Sequence, residues 1–130
     1  MEAAEGKDEM DPDRYQWQPC GSERFSVVAA RLNSSTVVIC VRGELDMVTC
    51  PELRSCATAV LWKQPPTMVL DMRNVTFCSV AGLSTMLAAG VECEAVGTKL
   101  RVAPSRVVRR VVELTGLSDE LGMLESSDVS

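Results

Sequence analysis

The sequence predicts an α/β domain: a mixed sheet of four to five strands, an opening hairpin followed by parallel crossovers, covered by three or more helices. Three observations predict it. Two apolar runs, Phe25 to Ala30 and Thr36 to Val41, stand on either side of the turn residues Asn33-Ser34-Ser35. Beyond them, stretches with apolar residues at helical spacing alternate with short apolar runs. Helix start residues (Thr49, Ser79, Ser105) and stop residues (Gln64-Pro65-Pro66, Gly97, Gly116) bracket the helical stretches.

The elements follow in order. Phe25, Val27 and Ala29 alternate with Ser26, Val28 and Ala30, the period of a strand. Thr36 to Val41 is nearly continuous in β-branched and apolar character, which predicts a strand covered on both faces. Thr49 is expected to cap the first helix, with Glu52 completing a capping box and Pro51 in the first turn. Leu53, Ala57, Val60 and Leu61 share one face of that helix. Met68-Val69-Leu70 predicts a short, fully buried strand ending at Asp71. After Ser79, Leu83, Met86, Leu87, Gly90 and Val91 share a helix face, and Gly97 ends it. Leu100 and Val102 alternate with Lys99 and Arg101 as a further strand. Ser105 caps a third helix bearing Val107, Val108, Val111, Val112 and Leu114, closed by Gly116. Leu121 to Leu124 offer a last short strand. Strand–helix–strand repeats call for right-handed crossovers and a largely parallel sheet.

A chain of 130 residues suits one domain and can fold without disulfides or metal. Residues 1–22 hold six carboxylates, Glu2 to Asp13, against Lys7 and Arg14, and are expected to form a flexible acidic arm. Residues 23–124 form the domain, and 125–130 a frayed tail. The net charge of -5 argues against direct nucleic-acid binding, which is driven by neutralising phosphates. No apolar run approaches the ~18 residues of a membrane span. The acidic N-terminus lacks the basic start and apolar run of a secretory signal. The expected location is therefore the cytoplasm, without membrane insertion.

Of the six cysteines, Cys40 lies in a predicted strand and Cys56 and Cys93 in predicted helices, with no C-x-x-C pair and no histidine anywhere. They read as small apolar packing residues, and no metal site is expected. The absence of histidine removes the commonest general base. Neither a phosphate-cradling P-loop nor a G-x-S-x-G elbow is present. Asp46 and Asp71 each follow a strand pattern and read as turn organisers. No enzyme activity and no cofactor are expected.

Two strings carry more. One is Gly43-Glu44-Leu45-Asp46, followed by Thr49 and Leu53. The other runs Val69-Leu70-Asp71-Met72-Arg73-Asn74-Val75-Thr76-Phe77, then Cys78-Ser79-Val80-Ala81-Gly82-Leu83. With Thr115-Gly116-Leu117, in this order and spacing, they resemble the STAS domain family, which includes bacterial anti-sigma-factor antagonists. The resemblance spans residues 24 to 124 and implies a protein that binds an anti-sigma factor and so releases a sigma factor. It also implies a partner that is often a GHKL-type serine kinase, which phosphorylates the serine after the motif's aspartate. The implied docking residues are Glu44, Asp46, Thr49, Ser79, Val80, Ala81, Gly82 and Leu83.

The sequence departs from the family pattern at the switch. With Phe77 and Gly82 aligned, the motif aspartate falls on Ser79 and the acceptor serine on Val80. Valine has no hydroxyl, so the usual phosphorylation is expected to be absent. Ser79 is either a helix N-cap or a substitute acceptor displaced by one residue. Ser84, Thr85 and the basic cluster Arg106, Arg109 and Arg110 are weaker candidates for modification and for meeting an acidic partner. Cys78, beside the docking loop, is a candidate redox position. Two alternatives stand beside the antagonist reading: a STAS subunit of another assembly, such as a lipid-transporter ATPase complex, and a thiol-dependent redox protein.

Overall fold

A computed structural model describes residues 24–117 and 121–124. β1 (Phe25–Asn33) and β2 (Thr36–Leu45) form the hairpin, antiparallel from Phe25 opposite Gly43 to Asn33 opposite Thr36. β3 (Thr67–Cys78) pairs parallel with β2, and β4 (Lys99–Pro104) pairs parallel with β3. The sheet order is β1-β2-β3-β4. The two parallel steps are bridged by α1 (Cys50–Leu61) and α2 (Val80–Val96), which pack against each other. α3 (Arg106–Thr115) packs chiefly against β3. The mixed sheet and the three helices among the described residues match the fold class read from the sequence.

Side-chain alternation builds the core. Val37, Ile39 and Val41 of β2, Met68, Leu70 and Met72 of β3, and Val102 of β4 are buried in one cluster. Leu53, Ala57, Val60 and Leu61 of α1 complete it, the four positions expected from the spacing. Truncating a buried leucine such as Leu53 to alanine removes transfer energy and leaves a cavity, costing about 2–5 kcal/mol. Both serine caps form: Ser79 Oγ accepts from the amide of Gly82, and Ser105 Oγ from that of Val108. Gly97 and Gly116 close their helices in the left-handed conformation.

Several expectations are corrected. β2 is covered on one face only: Cys40 is exposed and Val38 half-buried. β-branched residues favour strands whether or not both faces are covered, so a run of them does not report burial. β3 does not stop at Asp71 but continues for seven residues to Cys78. Asp71 is no turn organiser. It pairs in the ladder with Cys40 and Ala103, and its carboxylate takes two hydrogen bonds of 2.8 Å from the Arg73 guanidinium. The capping box at Thr49 is absent, because Thr49 is itself in a helical conformation and its hydroxyl turns back to β2. Val91 and Leu114 are exposed. In α2 the buried stripe instead runs through Met86, Ala89 and Cys93, and a helix apolar nearly all round gives no sequence signal for its phase. The last strand reduces to a single parallel bridge, Val102 with Met123.

The predicted arm, residues 1–22, and the tail, 125–130, lie outside the described residues. Among the described residues, no helix is long and apolar enough to cross a membrane.

Gly43 permits the tight start of the hairpin. It has φ +102°, and a Cβ there would lie 1.9 Å from the carbonyl oxygen of Arg24. That same oxygen accepts from the amide of Glu44 at 3.0 Å. Gly116 is also left-handed, but a Cβ there meets nothing within 4 Å. Gly116→Ala is expected to cost about 1–2 kcal/mol, the left-handed penalty alone, and Gly43→Ala clearly more. Urea unfolding of both variants checks the order; an equal loss would contradict the close approach at Gly43.

Candidate functional site

The ends of β2 and β3 lie side by side, and both candidate loops grow from them. Glu44 pairs with Phe77 and Leu45 with Cys78 in the parallel ladder. The amide of Ser79 then donates to the carbonyl of Leu45 at 3.0 Å, tying the mouth of α2 to the end of β2.

Asp46 shapes the first loop. Its Oδ1 accepts from the amides of Val48 (2.9 Å) and Thr49 (3.1 Å), and its carbonyl accepts from the amide of Cys50 (2.9 Å). An aspartate bonding amides two and three residues on is the ordinary chemistry of a helix entry. Thr49 braces the loop from below: its hydroxyl accepts from the amide of Asp46 and donates to the carbonyl of Glu44 at 2.8 Å. Glu44 itself is ion-paired with Arg24. With the polar groups turned inward, Met47 and Val48 are driven out.

The second loop is shaped by Ser79 and Gly82. Ser79 is extended, with φ −87° and ψ 178°, and its half-buried hydroxyl caps α2. Gly82 is buried against the strand end; a Cβ there would lie 3.0 Å from both Cys78 Sγ and Leu45 Cγ. Gly82 and Leu83 thus face inward and set the position of the helix, while Val80 faces out. Met47 (77% exposed), Val48 (84%), Phe77 (50%) and Val80 (78%) leave an apolar surface around the paired strand ends. Large apolar residues in that position mark contact surface more often than isolated exposure does.

Of the residues singled out in the sequence, Asp46, Thr49, Ser79 and Val80 are brought to one end of the sheet. Asp71 is not; it stands in mid-strand. The sequence reading does not name Met47, Val48 and Phe77 individually as site residues, and they stand exposed at the same end. A signal existed: Met47-Val48 sit between Asp46 and Thr49, where turn residues are usually polar.

Two buried cysteines, Cys78 beside this surface and Cys93 in the last turn of α2, are poor nucleophiles. Burial pushes the Cys78 thiol up to about 11, with neighbouring Cys50 adding to the effect. Burial pushes Cys93 to about 11 as well, aided by Glu92. A thiolate is the reactive form, so both are protonated at neutral pH. Cys40, exposed on β2, is raised by partial burial and by Asp71. Among the described residues, no group of three or more His, Cys, Asp or Glu side chains can hold a metal ion.

The neighbouring ends of β2 and β3 in the mixed sheet thus carry exposed apolar side chains from both loops. The chain belongs to the STAS domain family, whose model matches residues 28–129. It is 28% identical over 88 residues to the anti-sigma-F factor antagonist RsfB of Mycobacterium tuberculosis, covering 65% of this chain and 70% of that protein. Among solved structures, it resembles an anti-sigma factor antagonist from Mycobacterium paratuberculosis, with TM-score 0.71 and 29% identity over 80% of this chain and 88% of the other. It shares the fold of unphosphorylated SpoIIAA, with TM-score 0.65 and 23% identity over 78% and 90%.

The thiol environments predict an order of alkylation. At neutral pH, iodoacetamide is expected to modify Cys40 well before Cys78 and Cys93, as read by mass mapping of quenched digests. Early modification of Cys78 in the folded protein would contradict the buried, protonated thiol.

Proposed function

We propose that this chain is an anti-sigma-factor antagonist: it docks on an anti-sigma factor, frees a sigma factor, and acts by binding rather than catalysis. The support comes from the family, from the likeness to two mycobacterial antagonists, and from the apolar surface at the ends of β2 and β3. The docking residues are Glu44, Asp46, Thr49, Ser79, Val80, Ala81, Gly82 and Leu83. Asp46, Thr49, Ser79 and Gly82 act by shaping the loops, and Val80 by contact. Met47, Val48 and Phe77 join Val80 on the contacting side.

The single observation that carries the regulatory part is Val80, exposed at the mouth of α2. A phosphate placed there would bring about -1.5 to -2 charge at neutral pH into the contact. Valine accepts none. Ser79, the nearest hydroxyl, already accepts from the Gly82 amide and acts as a cap. The proposed antagonist is therefore insensitive to a serine kinase at this position, even when its partner is of the GHKL type. Cys78 does not substitute as a redox switch in this reading, since its thiol is buried and protonated.

The test is a binding titration against the anti-sigma factors of the source organism, with and without ATP, followed by intact mass. The complex is expected to form equally in both conditions and the mass to stay unchanged. Val80→Asp or Met47→Asp is expected to weaken binding about tenfold or more, by placing an unpaired charge in the contact. Ser79→Ala is expected to lose about 1 kcal/mol of stability and to weaken binding less than Val80→Asp does. A mass gain on Ser79 with ATP, or normal affinity in Val80→Asp, would contradict the proposal.

A further inference from the structure

The sheet has a second face, opposite the buried cluster. Pairing places Ala30, Val38, Val69 and Arg101 in one row across the four strands, and Val28, Cys40, Asp71 and Ala103 in the next. A cavity of about 400 Å³ opens over these rows and reaches Leu124. Its floor is small and apolar: Ala30, Val38 and Val69 are only half-buried, and Cys40 is exposed. Sheets with parallel strands are normally covered by helices on both faces. Here the buried faces of α1 and α2 both meet the opposite side.

The charges on this face are unbalanced. Arg42, Lys99 and Arg101 share it by register, and Arg31 lines the cavity. None of the four has an ion-pair partner among the described residues. The Nε atoms of Arg31 and Arg101 are shielded from solvent without a hydrogen-bond partner. The carboxylate on the cavity floor, Asp71, is already taken by Arg73. Partial burial pushes Asp71 up, but the hydrogen bonds and charge of Arg73 outweigh it and hold the carboxyl below its usual range. A chain of net charge -5 thus carries a locally cationic, apolar-floored face.

We propose that this face docks an acidic amphipathic helix of a partner protein, its apolar side on Val38 and Val69 and its carboxylates toward Arg42, Lys99 and Arg101. Among the described residues no helix lines the cavity on this face of the mixed sheet, and such a helix would supply that layer. Its carboxylates meet guanidinium donors that are already partly desolvated, where charge-assisted hydrogen bonds are strongest. The site is centred at mid-strand on the side away from the core cluster, and at its Arg42 end it borders Glu44 and Phe77, which pair with each other further along the ladder.

The test uses the full chain and two labelled synthetic peptides, an amphipathic helix of leucine and glutamate and its counterpart with lysine for every glutamate. The acidic peptide is expected to bind about tenfold or more tightly than the basic one, as complementary charge requires. Its affinity should fall as salt is raised, and the rate of Cys40 alkylation should fall in proportion to occupancy. Arg42→Glu, at an exposed position, and Arg101→Glu, at a partly buried one, should each weaken the acidic peptide, while Met47→Asp leaves it unchanged. Equal binding of the two peptides, an unaltered Cys40 rate, or indifference to both arginine reversals would overturn the proposal. So would an Arg101→Glu variant that dissolves a dimer of the chain, since the face would then belong to a second copy.

Discussion

The close approach of α2 to the end of β2 is the constraint on which the rest depends. Gly82 lets the first turn of the helix settle on Leu45 and Cys78, and the Ser79 amide ties that turn to the carbonyl of Leu45. Once these are in place, the remaining geometry follows. The β2–α1 loop must turn sharply beside them, Asp46 and Thr49 satisfy its amides, and the intervening Met47 and Val48 have nowhere to go but outward. Val80 is held out on the same side. The apolar surface is thus a consequence of how two strand ends and one helix mouth share space.

Most of the fold was readable because each element obeyed one periodicity at a time. The α1 face is legible apart from Cys50 at its start: Leu53, Ala57, Val60 and Leu61 are separated by polar or small residues, so the stripe has one phase. The α2 face was not, because its residues are apolar in nearly every direction and Val91 satisfies the spacing as well as Cys93 does. Strand length failed at Asp71 for another reason. A charged residue usually ends a buried strand, but Arg73 two positions on neutralises this one within the sheet. The candidate site was half readable. Ser79, Asp46 and Thr49 announce themselves through turn and cap chemistry. Met47, Val48 and Phe77 depend on which way a loop and a strand face point, and that is settled only by long-range packing.

The chemistry at the helix mouth separates stability from regulation. A serine at Ser79 is explained by the cap it makes, with no appeal to modification. A valine at Val80 is not explained by packing, since it is largely exposed. An exposed apolar residue at a helix start adds little to folding, and the proposal makes this one part of a contact. In the proposed antagonist, this replaces a position open to charge by one permanently suited to a dry interface. Control in that reading acts through the amount of protein or through another surface, and the proposed cationic sheet face offers one.

The most direct measurement of the central claim is displacement. A preformed complex of the source organism's anti-sigma factor with labelled sigma factor is titrated with the full chain, and free sigma is followed with ATP present and absent. The account predicts stoichiometric release along one curve in both conditions. Failure to release sigma, or release that decays as ATP is consumed, would contradict it.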